Sequence, residues 1–314
     1  MNPVPAPAEP AALDAAGLAR FLPALPGWPW PGLTPALTII PGGRTNRTWR
    51  MQLEPGADWF VKIPGPHTGY IDRGVAHAAL RQAAGLGLAP QVAYFDPASG
   101  IEVTEFLAAY HSATEGELCR TDRLVEIADL HRRFHATALL PATKTIFEMI
   151  DEHLEQLAQL ALALPPWVQG ILARWRPAQQ AFVASGIDLV PSHNDGNPLN
   201  YMVAEGLPLK IIDFDYASNN ERCYEIGSLT QGYLVETADR AAMLEAYFGR
   251  MEPALDARVR IAGLACDIKW ALWSLMNAQV LDVDFDFAKF AMGKLVNAER
   301  TMAHPGFERW IEAL

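Results

Sequence analysis

Asp195, Asn200 and Asp213 are three polar residues whose types and spacing suit one chemistry. They lie in His193-Asn194-Asp195-Gly196-Asn197-Pro198-Leu199-Asn200 and, after a short apolar run, Asp213-Phe214-Asp215-Tyr216. A carboxylate, an amide further along the loop and a second carboxylate are what phosphoryl transfer from a metal nucleotide requires. Asp195 suits the role of base for an acceptor hydroxyl, while Asn200 and Asp213 offer the hard oxygens that Mg²⁺ prefers. Asp215, two residues on along an extended strand, points the same way and is expected to hold a second ion. His193 is expected to brace the loop. Either half alone reads as an ordinary turn or strand end; the two in succession favour the catalytic reading.

For these groups to converge, the chain must double back between Asn200 and Asp213. Residues 201–203 and 210–212 are β-rich, and Ala204-Glu205-Gly206-Leu207-Pro208 has turn chemistry, so a hairpin is predicted. Upstream, β-rich runs at 37–40, 48–53, 59–63, 91–95 and 101–104 surround an Ala-rich helix over 74–84. That pattern predicts a small antiparallel sheet with one helix. From about residue 120 helical periodicity takes over. The expected fold is α+β and bilobal. It has an Ala/Pro-rich, partly mobile segment over 1–35 with a short helix near 11–22, a nucleotide-binding lobe over 36–107, and a mainly helical catalytic and substrate-binding lobe over 108–314.

These residues resemble the choline/ethanolamine kinase family, in the aminoglycoside-phosphotransferase-like branch of the protein-kinase-like fold. The loop matches H-N-D-x-x-x-x-N, Ile212-Asp213-Phe214-Asp215-Tyr216-Ala217 is similar to I-D-F-E-Y-A, and Asn220 through Glu225-Ile226-Gly227 is similar to N-x-x-x-x-D-I-G. Gly42-Gly43-Arg44-Thr45-Asn46 resembles the G-G-x-T-N nucleotide loop, and Phe60-Val61-Lys62 with Ile71-Asp72-Arg73 the basic strand and I-D-R segment. Trp270-Ala271-Leu272-Trp273-Ser274 resembles the W-x-L-W-S helix, so the likeness runs over residues 38–300.

The resemblance implies ATP and Mg²⁺, with Gly43, Thr45 and Asn46 near the phosphates, Lys62 on the α/β-phosphates, and the backbone of Glu105 and Leu107 at adenine. It implies a small cationic amino alcohol as acceptor, choline first and ethanolamine next. A quaternary ammonium donates no hydrogen bond, so its recognition calls for aromatic faces and a carboxylate nearby. Tyr216, Trp270 and Trp273 are the expected box, the two tryptophans sharing a helix face, with Glu225 the acid close in sequence. An aminoglycoside kinase would keep the same core. A protein kinase is disfavoured, because no A-P-E-bounded segment follows Asp213. The chain departs from the pattern at Ala76, where relatives carry the Glu that orients the cation. Lys62 then needs another partner, Asp72 being the nearest acid in sequence; the other reading is a nucleotide-binding module with little turnover.

The balance of 25 basic and 36 acidic residues gives −11, which argues against nucleic acid or an anionic membrane as partner and agrees with a cationic substrate. Cys119, Cys223 and Cys266 show no metal-ligand spacing. No export signal or spanning segment is legible, so a cytoplasmic protein, monomeric or homodimeric, is expected. His131 and His135, one helical turn apart without the acid of H-E-x-x-H, read as structural. The acidic run over 282–287 lacks the glycine and distal Glu of a calcium loop and reads as a helix cap.

Overall fold

The structure, a computed structural model, describes residues 10–41, 45–53, 56–66, 68–232, 237–281 and 284–314. Helix α1 (Ala15–Phe21) is capped by Asp14, whose side chain accepts from the Gly17 N–H at 2.7 Å. Strands β1 (Ala36–Ile40), β2 (Asn46–Leu53) and β3 (Ala57–Pro64) form an antiparallel meander. After α2 (Arg73–Gly85), β4 (Val92–Phe95) and β5 (Glu102–Glu105) complete a sheet of order β1-β2-β3-β5-β4. Period-two alternation divides β3 between its faces: Val61 and Ile63 enter the core with Leu18, Leu22, Trp28 and Met51, leaving Lys62 on the opposite face, toward the cleft.

The short helix expected near 11–22 is docked on the sheet, while residues 1–9, the extreme N-terminus, lie outside the described residues. From Pro10 onward the segment covers one face of the sheet, and Arg47 holds it through the Leu13 carbonyl at 2.9 Å. The physical reason is the apolar face that a single sheet cannot bury by itself.

The larger lobe begins with β6 (His111–Ser112), α3 (Glu115–Leu118), α4 (Thr121–His135), α5 (Ile146–Gln159) and α6 (Pro166–Ala184). Then come β7 (Leu189–Ser192), the loop with Asp195, β8 (Tyr201–Val203), β9 (Lys210–Ile211) and β10 (Ser218–Glu221). Helices α7 (Arg222–Gly232), α8 (Thr237–Phe248), α9 (Pro253–Val280), α10 (Phe287–Met302) and α11 (Phe307–Glu312) close the chain. The expected hairpin is β8–β9, extended by β6, while β7 pairs with β10. Helix α9 is buried along most of its length and forms the centre of the lobe. Gly227 permits α7 to pack on it, since a Cβ there would stand 2.6 Å from the Gly263 nitrogen. Asp286 caps α10 by accepting from the Lys289 N–H at 2.9 Å, the role read from its acidic run; Asp282 lies outside the described residues. Among the described residues no helix is long and apolar enough to cross a membrane.

Candidate active site

The loop after β7 starts with a residue under strain. Asn194 has φ 68°, in the left-handed region where asparagine is one of the few tolerated side chains. Its surroundings over-determine that conformation. The N–H donates to Glu225 Oε1 at 2.6 Å, and Nδ2 donates to the Tyr216 carbonyl at 2.8 Å and to Ser218 Oγ at 2.7 Å. Asn220 Nδ2 donates to Asn194 Oδ1 at 2.8 Å. His193 is fully buried and kept neutral, because burial lowers its pKa. Its Nε2 donates to the Ile212 carbonyl at 2.9 Å and its Nδ1 accepts the Asp195 N–H at 3.3 Å. His193 thus ties the loop backbone to the residue ahead of Asp213.

Asn200 closes the turn. Its Nδ2 donates to Asp195 Oδ2 at 2.9 Å, while its carbonyl accepts the Ile212 N–H at 2.9 Å. The second bond sets Asn200 beside the end of β9, where Asp213 follows with φ 65°. Asp195, Asn200 and Asp213 all border one interlobe cleft of about 1430 Å³. With its nitrogen engaged by Asp195, the Asn200 amide keeps an oxygen to offer, and the Asp213 carboxylate is 41% exposed toward the cleft. Desolvation by the surrounding site and the charge of Asp215 raise the Asp213 carboxyl to about 7. Two hard oxygens, one on a carboxylate whose cation Lys62 stands back at 3.8 Å without a hydrogen bond, fit Mg²⁺.

Asp215 departs from the expected role of ligand to a second ion. Its Oδ1 accepts from Lys62 Nζ at 2.7 Å and Arg73 Nη1 at 2.9 Å, and its Oδ2 from Asn46 Nδ2 at 2.7 Å. Both oxygens are engaged, so Asp215 acts as an anchor. Burial would raise its carboxyl, but Lys62 and Arg73 outweigh that and hold it at about 2. Burial likewise opposes the charge of Lys62, and Asp215, Asp213 and Glu102 together raise its pKa. This resolves the question posed by Ala76. Lys62 is oriented by Asp215, with Glu102 at 3.9 Å on the neighbouring strand, and not by Asp72, which caps α2 by accepting from the Val75 N–H at 3.0 Å. At the start of α2, Arg73 supplies a base where an acid was sought.

On the small-lobe side Thr45, Asn46, Lys62, Glu105 and Leu107 line the same cleft. Gly43 lies outside the described residues. Gly65 lets β3 close on the loop: its N–H donates to the Thr45 carbonyl at 3.0 Å, and a Cβ there would come within 2.4 Å of that oxygen. On the large-lobe side Tyr216, Trp270 and Trp273 are brought together. The Tyr216–Trp270 and Trp270–Trp273 ring centroids are 5.5 and 5.3 Å apart, both edge-to-face, and all three residues line the cleft with Asp195.

Glu225 does not join them. It is buried behind the loop, with Oε2 at 2.8 Å from His131 Nδ1 and 2.7 Å from His135 Nε2. Burial works against its charge, yet the two histidines hold the carboxyl well below the usual range. Its partner on the loop is Asn194, so the Asn220 and Glu225 motif braces the backbone that presents Asp195. The three side chains could group around a metal, but the other imidazole nitrogens meet the Tyr201 and Tyr247 hydroxyls, and the carboxylate serves the loop. Two signals in the sequence pointed this way: apolar neighbours on both sides of Glu225, and paired histidines that needed an acid.

With this geometry in hand, comparisons with known proteins agree on the fold. Residues 36–263 match the phosphotransferase enzyme family. A choline/ethanolamine kinase family protein from Mesorhizobium loti has a similar structure, 27% identical, covering 94% of this chain and 97% of that one with TM-score 0.79. A choline kinase from Streptococcus pneumoniae is 20% identical over 85% of this chain and 94% of that one, with TM-score 0.71. A choline kinase from Cryptosporidium parvum is 16% identical over 95% and 98%, with TM-score 0.70. No curated protein matches the sequence. The bilobal, protein-kinase-like α+β architecture expected from the sequence is the one observed.

Proposed function

Because the chain belongs to the phosphotransferase enzyme family, we propose that it transfers the γ-phosphoryl of ATP to the hydroxyl of a small amino alcohol, the class that includes choline and ethanolamine. The observation that carries this reading is the approach of Asn200 to both Asp195 and the strand leading to Asp213, opposite an aromatic wall. Residues 36–107 would serve as the nucleotide-binding lobe, with Thr45, Asn46 and Lys62 toward the phosphates and the segment from Glu105 to Leu107 toward adenine. Residues 108–314 would supply the base, the metal ligands and the acceptor wall. Asn200 and Asp213 would hold Mg²⁺, which when bound draws negative charge from the phosphate oxygens.

Asp195 accepts the acceptor hydroxyl proton as the oxygen–phosphorus bond forms and ADP leaves. Asn200 fixes the Asp195 carboxylate through its 2.9 Å bond to Oδ2, and Oδ1, which accepts the Asn197 N–H at 3.3 Å, keeps a lone pair for the hydroxyl. The aromatic edges and faces of Tyr216, Trp270 and Trp273 exclude water from the acceptor, so the hydroxyl rather than solvent is phosphorylated. The acid missing at Ala76 does not weaken the reading, since Asp215 supplies the charge that aligns Lys62.

Purified protein with Mg·ATP and a panel of choline, ethanolamine and an aminoglycoside should form ADP in an acceptor-dependent manner only with the amino alcohols. A preference for the aminoglycoside moves the assignment to its sister activity, and no acceptor-dependent ADP with any alcohol ends the kinase reading. A second expectation concerns protons. A carboxyl whose pKa is raised to about 7 is protonated below that pH and must lose its proton to bind a cation. Affinity for Mg·ADP measured by calorimetry should therefore weaken roughly tenfold from pH 8 to pH 6. In Asp213→Asn the affinity should be low and nearly independent of pH over that range.

A further inference from the structure

The acceptor wall has a cation behind it. Lys269, on α9, is fully buried, and its Nζ has no hydrogen-bond partner among the described residues. The amine lies 3.1 Å from the Trp270 ring centroid and 4.4 Å from that of Tyr216. Both rings border the cleft. The charged and titratable groups that face Lys269 are Asp195 on the loop, Glu152 and His153 on α5, Lys144 ahead of that helix, and Cys266 one turn earlier on α9. None of them bonds the amine. Burial pushes its pKa down to about 7.

An aromatic face attracts a cation through the ring quadrupole, and here the inner faces of the two rings already hold one. A substrate ammonium on the cleft side of Trp270 would stand about 7 Å from the lysine, one ring thickness plus two van der Waals contacts. At the effective dielectric of a partly buried site, repulsion between unit charges at that separation is as large as the attraction a single face provides. The two effects cancel. A head group of the same shape without a permanent charge meets no such opposition.

We propose that Lys269 is a specificity-determining residue which, from behind Trp270 and Tyr216, sets the acceptor wall against a permanent cation such as trimethylammonium and favours acceptors that are neutral or shed a proton. The proposal rests on the reading of this wall as the acceptor site and narrows it from amino alcohols in general to those with a titratable amine. Lys269 acts through the rings, so the test reads charge and not mere integrity.

The test compares choline with its uncharged isostere 3,3-dimethylbutan-1-ol on the full chain, both as acceptors and by calorimetric binding. In Lys269→Met the ratio of choline to isostere, in kcat/KM and in affinity, should rise at least about tenfold. In the unaltered chain the same ratio should climb as pH passes 7 and the lysine discharges, a slope the variant lacks. Thermal melting of Lys269→Met should not fall, because an unpaired buried amine is replaced by an apolar chain of similar length. A ratio unchanged within twofold overturns the proposal, as does a marked loss of stability. If no acceptor is phosphorylated the kinase reading fails, while the binding ratio still decides the role of Lys269. Should the Met variant not fold, the binding ratio in Lys269→Gln and the pH slope of the unaltered chain decide it by the same criteria.

Discussion

Asp195→Asn should lower kcat by about a thousandfold while nucleotide affinity stays within twofold. The carboxylate is the group on the loop placed to receive a hydroxyl proton, and general-base contributions of this kind are worth two to four orders of magnitude. The substitution is nearly isosteric. Its amide oxygen still accepts from Asn200 Nδ2, the bond that spans 2.9 Å, so the turn and Asn200 keep their places. Single-turnover kinetics with saturating Mg·ATP and acceptor separates the chemical step from binding. A variant that keeps a tenth of the activity would assign the proton to another base and leave Asp195 an orienting role.

The second large effect concerns folding. Asp215→Asn should cost about 3–5 kcal/mol of stability at pH 7, measured by urea unfolding, because it leaves Lys62 and Arg73 buried beside one another without their shared anion. The asparagine preserves shape and one acceptor, so the loss reports charge. The pH dependence has a definite sign. A carboxyl held at about 2 in the folded protein, against 3.8 as the ordinary value, stabilises fully above pH 4 and loses that contribution as pH falls through 2. The shift corresponds to roughly 2 kcal/mol. In Asp215→Asn that part of the acid-unfolding profile flattens. A loss under 1 kcal/mol would mean that Lys62 and Arg73 find other partners and that Asp215 does not join the lobes.

Legibility in the sequence followed contact range. The sheet strands and α2 were readable because alternation and turn residues are local, and Asp195, Asn200 and Asp213 were readable because a turn and one hairpin unite them. Strands β6, β7 and β10 were not, since two to four residues show no usable period. Lys62 and Asp215 stand 153 positions apart, and Arg73 and Asp215 stand 142 apart. Nothing in either neighbourhood announces the partner. Asp215 was therefore read by its distance in sequence from Asp213, as a ligand, when packing had already engaged it. Glu225 was misplaced for a related reason: proximity in sequence to the acceptor motif does not say on which side of the loop a side chain emerges. Lys269 illustrates the limit further, for an amphipathic reading of α9 gives no reason to expect a lysine among its innermost residues.

The small lobe is attached to the large one by more than its chain. Beside the strand exit through Phe106 and Leu107, α2 sends Ala79, Leu80 and Ala83 into the large lobe's core, and the Leu88 carbonyl after it accepts the Ile211 N–H at 2.7 Å. An ionic attachment is added at Asp215, which sits two residues from Asp213 and is only 3% exposed. A lobe whose helix is packed into its neighbour's core cannot swing wide, so this cleft breathes rather than gapes. Any anion that competes with Asp215 for Lys62 would loosen the ionic attachment, so its arrival and the play between the lobes would be a single event.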